Sequence, residues 1–413
     1  MPSKYNMYMN RCIAFKRIKL LFLSFFVCSC ALAGDTIKTK RPQFISAQFS
    51  EGFLLPNSKI GGDGGSKTPA YSALTLKYGL SARGDRWQDA LYGMPYKGIG
   101  VYLPYFPSDK YDLGDPFSVF LFQGARLKQF SPHWSLHYEI NLGVAFGWQH
   151  YDVYERPRFM ALGSSTNIHL AGNWYLKWKL SRHWDLHVGV SITHFSNGAL
   201  RTPNNGINKA SAFIEMAYKI HPVEEKKILT EGVYTPPAFH KNTAHDLAFM
   251  FTTRTVKVDT IGTGLRSKYP KHRFKVAGLS YSYMFHNTRR FMFGPSLEAV
   301  YDESVRAEFR GEHDPISGQY SEYIKLGKFS DRFSVGVSLK GELTMPGYSI
   351  FANLGYDVLH KDKIDKRLYQ IYGLKVYLFN DLYATFGVRS TNLTRSRYLY
   401  LNVGYTFRHF RKK

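Results

Sequence analysis

Residues 184–218 read WDLHVGVSITHFSNGALRTPNNGINKASAFIEMAY, and the fold is decided there. Successive side chains of a β-strand point to opposite faces, so residues two apart share a face. Trp184, Leu186, Val188, Val190 and Ile192 make one apolar row, with Asp185, His187, Gly189, Ser191 and Thr193 behind it. The returning strand repeats the pattern. Ala210, Ala212, Ile214, Met216 and Tyr218 fall on one face, and Lys209, Ser211, Glu215 and Lys219 on the other. The intervening SNGALRTPNNG is dense in turn formers. This is a β-hairpin with one greasy face, and three of its residues break the rule. His194, Ser196 and Asn208 sit in the apolar register, where a structural hairpin would carry Val or Leu.

The same alternation runs outward in both directions. Trp134, Leu136, Tyr138, Ile140, Leu142, Val144, Phe146 and Trp148 oppose Ser135, His137, Glu139, Asn141, Gly143, Ala145 and Gly147. Strands are predicted near 45–54, 70–80, 97–103, 116–126, 133–148, 166–180, 184–196 and 208–220. Eight more are predicted near 244–256, 273–286, 291–301, 331–344, 348–358, 370–378, 382–390 and 396–407. Segments of about 10 alternating residues separated by polar loops mark an outer-membrane β-barrel. The chain reads as all-β, an antiparallel transmembrane barrel of about 16 strands. Residues 221–243 break the rhythm as a linker between a half at 34–220 and a half at 244–413. GVSITH at 189–194 has an echo in GVRSTN at 387–392, and each half closes on an aromatic strand. Two eight-stranded repeats are therefore an alternative, the second a degenerate copy without the His-x-Ser. One barrel for one chain is the simpler expectation.

Lys4, Arg11, Lys16, Arg17 and Lys19 precede an apolar run from Leu20 to Ala33 ending in Ala31-Leu32-Ala33. Residues 1–33 thus read as a secretory signal, with lipoprotein processing at Cys30 as a competing expectation. All three cysteines lie in this segment, which leaves residues 34–413 no disulfide framework, thiol nucleophile or cysteine metal site. The net charge of +24, less those five basic residues, is +19. For an exported chain this favours an anionic lipid surface over nucleic acid.

Strand 184–196 is seventh in order, entered by the tight turn Ser181-Arg182-His183 and left by a longer loop. Barrels keep periplasmic turns short and outer loops long, which puts His194 and Ser196 near the outer leaflet. Serine is a weak nucleophile until a base takes its proton, and the base works best when a third group fixes its tautomer. His194 is within leaning distance of Ser196 on the same face, and Asn208 faces them from the next strand. The loop between offers backbone N–H groups and amides suited to a developing oxyanion.

His194-Phe195-Ser196-Asn197, followed by Pro203-Asn204-Asn205-Gly206-Ile207, resembles the active-site signature of the PagL-type outer-membrane lipid A 3-O-deacylases. The likeness covers about 44–220 as a strand pattern and 189–208 as a motif. It is closest to the long acyloxyacyl hydrolase forms of Bacteroides-like bacteria. It implies a serine esterase acting on lipid A or lipopolysaccharide from the barrel's outer wall, without metal or organic cofactor. It further implies Ser196 as nucleophile, His194 as general base, and Asn204 with the Gly198 backbone as oxyanion hole, supported by Asn197. One position departs: the best-known members carry Glu where this chain has Asn208, which implies a slower enzyme. Glu215 lies on the opposite face and is a poor substitute.

The rival readings are a non-catalytic barrel (a pore, or a lipid- or glycan-binding protein) and an outer-membrane phospholipase. His137, His169 and His187 alternate onto the polar face and read as lumen residues. Arg289-Arg290 and the run Lys361–Arg367 read as solvated loops, or as groups steadying lipid A phosphates. No HExxH, GxSxG or nucleotide-binding fingerprint is present.

Overall fold

The computed structural model describes residues 41–410 apart from 57–59, 61–68, 85, 108–111, 223–235, 262–270, 314–315, 317–318, 364 and 394. The expected export signal and much of the 221–243 linker lie outside the described residues.

Two closed antiparallel barrels are formed, each of eight strands. The first runs β1 (Gln43–Leu54), β2 (Ala70–Ser81), β3 (Tyr96–Tyr105), β4 (Gly114–Gln129), β5 (Trp134–Trp148), β6 (Asn167–Lys179), β7 (Trp184–Ser196) and β8 (Ile207–Lys219). β8 returns to pair with β1 from Phe44↔Lys219 to Leu54↔Lys209, and this closure leaves no free edge for a ninth strand. The second barrel is built from β9 (Asn242–Arg254), β11 (Phe274–His286), β12 (Phe291–Asp302), β15 (Phe333–Met345), β16 (Tyr348–Leu359), β17 (Leu368–Phe379), β18 (Leu382–Thr391) and β19 (Arg395–Phe410). β19 closes it against β9. The expectation of one large barrel is therefore corrected to two small ones. The echoing hexapeptides fall on the seventh strand of each barrel, with Gly189 and Gly387 both in the lumen-facing register.

Why these strands close as they do follows from their faces. Val188, Val190 and Ile192 are more than half exposed on the outer wall, while Ser191, Thr193 and Glu215 are buried in the lumen. Barrel two repeats this with Phe249, Phe251, Leu339, Leu354 and Val403 outward and Asp246, Glu298 and Arg389 inward. Water would penalise such outer belts, and lipid accepts them, so both barrels are membrane-spanning. Stacked Trp134 and Trp178, with Trp184 against Tyr218, make an aromatic girdle at the rim of the tight turns.

Barrel one has tight turns at 130–133 and 180–183 on one rim and longer loops on the other, among them 149–166 and 197–206. An exception on the tight-turn rim is the 82–95 connection, which holds a short helix, α1 (Trp87–Leu91). A small sheet of β10 (Asp259–Ile261), β13 (Glu308–His313) and β14 (Tyr320–Lys325) belongs to the outer loops of barrel two.

The lumens are filled rather than open. In barrel one, Tyr102, Phe120, Trp148, Phe159, Leu162 and Phe195 close the outer half, and a cavity of about 530 Å³ remains below, lined by His137, Glu139, Tyr175 and His187 among others. In barrel two a ladder of buried ion pairs spans the lumen. Arg254 meets Asp302 at 2.8 Å and Asp365 at 2.9 Å, and Arg397 joins Asp365 to Asp357 at 3.0 Å each. Arg389 bonds Asp357 at 2.6 Å and Glu298 at 2.8 Å, with its guanidinium 3.7 Å from the Tyr369 ring centre. Removing one member strands the others' charges in a low-dielectric interior. Arg389→Leu is therefore expected to cost about 3–5 kcal/mol. The check is the unfolding midpoint in detergent micelles, and an unchanged midpoint would show that the ladder is not stabilising.

Arg289 is half-buried and Arg290 exposed, in keeping with a solvated loop, and both also contact barrel one. They occupy the tight β11–β12 turn, where Arg289 lies 5.1 Å over the Trp87 ring and Arg290 5.8 Å over Tyr92. Arg290 also donates to the Leu91 carbonyl, and the Tyr92 hydroxyl donates to the Arg289 carbonyl at 3.4 Å. They join the barrels at the inner rim, away from any outer-leaflet phosphate. Lys361 pairs with Asp331 at 3.1 Å.

Candidate active site

β7 and β8 pair in the register that sets Leu170, His194 and Asn208 side by side across three strands. Because His194 and Ser196 share the outward face of β7, the imidazole reaches back along its own strand. Its Nε2 lies 2.8 Å from Ser196 Oγ, and its Nδ1 lies 2.6 Å from Asn208 Oδ1. An amide oxygen can only accept, so Nδ1 carries the proton and donates to Asn208. That leaves the Nε2 lone pair to accept the Ser196 hydroxyl. The chain of three bonded groups opens toward lipid, flanked by exposed Leu170 and Ile192. Phe195, between His194 and Ser196, points the other way. It is buried against Trp148 and His169, each at 4.9 Å between ring centres, and anchors the strand from inside.

The loop 197–206 carries the remaining polar groups. Asn197 donates from its backbone N–H to Asn204 Oδ1 at 3.2 Å. This bond fixes which way the Asn204 amide faces, because only its oxygen can accept. Asn204 Nδ2 is buried and has no hydrogen-bond partner, an unused donor on a side chain whose oxygen is bonded to the residue after Ser196. The Asn197 side chain braces the loop instead of facing the serine. It donates to Ser164 Oγ and to the Arg201 carbonyl, both at 2.9 Å, and accepts from Arg201 N–H at 3.3 Å. Gly198 and Ala199 have φ of +61° and +67°. For alanine that region costs roughly 1–2 kcal/mol, so outside contacts must hold the loop in shape.

Three contributors were not legible as site residues in the sequence. Gly206 has φ +79°, and a Cβ there would lie 2.6 Å from His194 Cε1. The backbone thus passes against the imidazole only because no side chain intervenes. The Asn-Asn-Gly turn was the available signal for it. Ser164 belongs to the loop 149–166, which also accepts from Asn205 and Gly206 N–H through the Met160 and Ala161 carbonyls. Thr255, from barrel two, bonds the loop as well. Glu215 is in the lumen 2.8 Å from Lys77, remote from the outward face. His137, His169 and His187 are buried in the lumen too.

Fold and site together define a class, an outer-membrane β-barrel with a Ser-His-Asn constellation on its lipid-facing wall. Residues 76–217 match the family described as lipid A 3-O-deacylase (PagL), and residues 248–409 match the acyloxyacyl hydrolase C-terminal domain. The chain belongs to this PagL-type family, with one match on each barrel. Among solved structures, the outer-membrane enzyme PagL is similar at 19% identity and TM-score 0.30, over 41% of this chain and 97% of its own. Neisserial surface protein A is similar at 11% identity and TM-score 0.30, over 43% of this chain and 97% of its own. No curated protein matches.

Proposed function

We propose that the chain is an outer-membrane serine esterase that hydrolyses an ester-linked acyl chain of lipid A. The observation that carries this is the bonded chain Ser196–His194–Asn208 on the lipid-facing wall, with an unused amide donor on Asn204 in the adjoining loop. The family match supports lipid A as the substrate class.

In this reading the acyl carbonyl reaches Ser196 from within the outer leaflet. Ser196 Oγ attacks the carbonyl carbon while its proton passes to His194 Nε2. Asn208 holds the ring through Nδ1–H, so the lone pair cannot turn away. The tetrahedral oxyanion is met by Asn204 Nδ2 and the Gly198 N–H. Collapse breaks the ester bond, and the departing sugar oxygen takes the proton from His194. Water then attacks the acyl-enzyme with His194 again as base, releasing the fatty acid and regenerating the hydroxyl.

Asn208 orients the imidazole without adding the charge that a carboxylate would bring to the imidazolium. Its contribution is that of a neutral hydrogen bond. Asn208→Ala is therefore expected to lower turnover about 10-fold. Fatty acid release from lipid A in mixed micelles is the check, and unchanged turnover would rule out the orienting role. The filled lumens support this reading over a pore.

A further inference from the structure

The loop that carries Asn204 is held from two sides. From barrel one, Asn197, Met160 and Ala161 secure it as described above. From barrel two, Thr255, the residue after β9, reaches across. Its backbone N–H donates to the Ala199 carbonyl at 3.0 Å. Its Oγ1 accepts from Thr202 N–H at 2.6 Å and exchanges a further hydrogen bond with Thr202 Oγ1 at 2.9 Å. Leu399 of β19 fills the space where a side chain on Gly198 would go, 2.1 Å from the ideal Cβ position. Thr255 is buried. These contacts fall on Gly198, Ala199 and Thr202. Gly198 and Ala199 are two of the three left-handed residues of the loop, and Thr202 lies two positions before Asn204.

We infer that the second barrel completes the active site of the first, with Thr255 as a positioning residue for the oxyanion-binding loop. This rests on the reading of Ser196 as nucleophile. Barrel one alone leaves the Ala199 carbonyl and the Thr202 N–H without these partners, in a stretch whose backbone resists its own conformation. Thr255 supplies an acceptor and a donor to that stretch at once. It touches no reacting atom, so its loss should slow the chemical step and leave substrate binding alone.

The test uses the full chain in mixed micelles with lipid A, comparing wild type, Ser196→Ala, Thr255→Val and Thr255→Ser. Val keeps the shape and removes the hydroxyl, while Ser keeps the hydroxyl. Folding is confirmed for each by heat-modifiable gel mobility. If Thr255→Val does not fold, Thr255→Ala, which is smaller, takes its place. Thr255→Val is expected to lower kcat about 10-fold with KM unchanged, and Thr255→Ser to restore most of it. Wild-type kcat in Thr255→Val, or equal impairment in Val and Ser, would overturn the positioning role. An inactive wild type, or activity retained by Ser196→Ala, would instead overturn the active-site reading on which it stands.

Discussion

Ser196→Ala is expected to abolish ester hydrolysis by the purified chain, with turnover falling about 10⁴-fold. The serine oxygen is the atom that bonds to the acyl carbon, and among the described residues no other hydroxyl is bonded to His194 Nε2. The loss should not be accompanied by unfolding, since Ser196 is half-buried on the outer wall and, among the described residues, its side chain bonds to His194 alone. His194→Ala should cost nearly as much. The double variant should be no worse than either single one, because the two groups act as a unit. Multiplying losses would contradict this and assign the residues to separate roles. Acid–base work by His194 on a water molecule, without Ser196, would leave Ser196→Ala active.

Gly206→Ala is the second large effect. The added methyl would sit 2.6 Å from His194 Cε1 and 3.2 Å from the Phe195 carbonyl, in a backbone region with φ +79°. Something must shift, and the imidazole is the movable neighbour. Two hydrogen bonds hold it, at 2.6 and 2.8 Å. A displacement approaching 1 Å at a catalytic base costs on the order of 10²-fold in rate. The barrel should still close, because the ladder of β7 and β8 lies outside this turn. A folded Gly206→Ala chain with ordinary turnover would mean that His194 tolerates a different position, and the mutual geometry drawn here would lose its force.

Strand pattern was the legible part of this molecule. A lipid-facing row with a polar row behind it repeats along most of the spanning strands, and the turn at Ser181-Arg182-His183 sharpens the start of β7 at Trp184. Closure was not legible, because pairing of β1 with β8 joins residues far apart in sequence and leaves no local trace. β13 and β14 were missed for another reason. Each has six residues, and β14 is exposed nearly throughout, so no apolar row marks it. The five residues of α1 are too few to show a helical period.

The same division holds at the site. His194, Ser196 and Asn208 stood out because they are polar residues in an apolar register, and strand spacing brings them together with little help. The supporting shell gave no comparable signal. Ser164 and Thr255 are ordinary polar residues in loops, and they matter only through contacts made 33 and 53 positions away. Asn197 was expected to support the oxyanion hole, and its bonds to Ser164 and Arg201 give it a concrete bracing position. Arg289-Arg290 read as a solvated loop pair, and Arg290 is exposed, but their aromatic and carbonyl contacts with the other barrel left no trace in the sequence.

The most direct test of the central claim is mass spectrometry of lipid A from Gram-negative cells carrying either the wild-type chain or Ser196→Ala. Both must be confirmed as folded in the outer membrane. Loss of the mass of one ester-linked acyl chain with wild type alone is the predicted result, and the missing mass would identify the bond. Identical spectra from the two would contradict a lipid A deacylase.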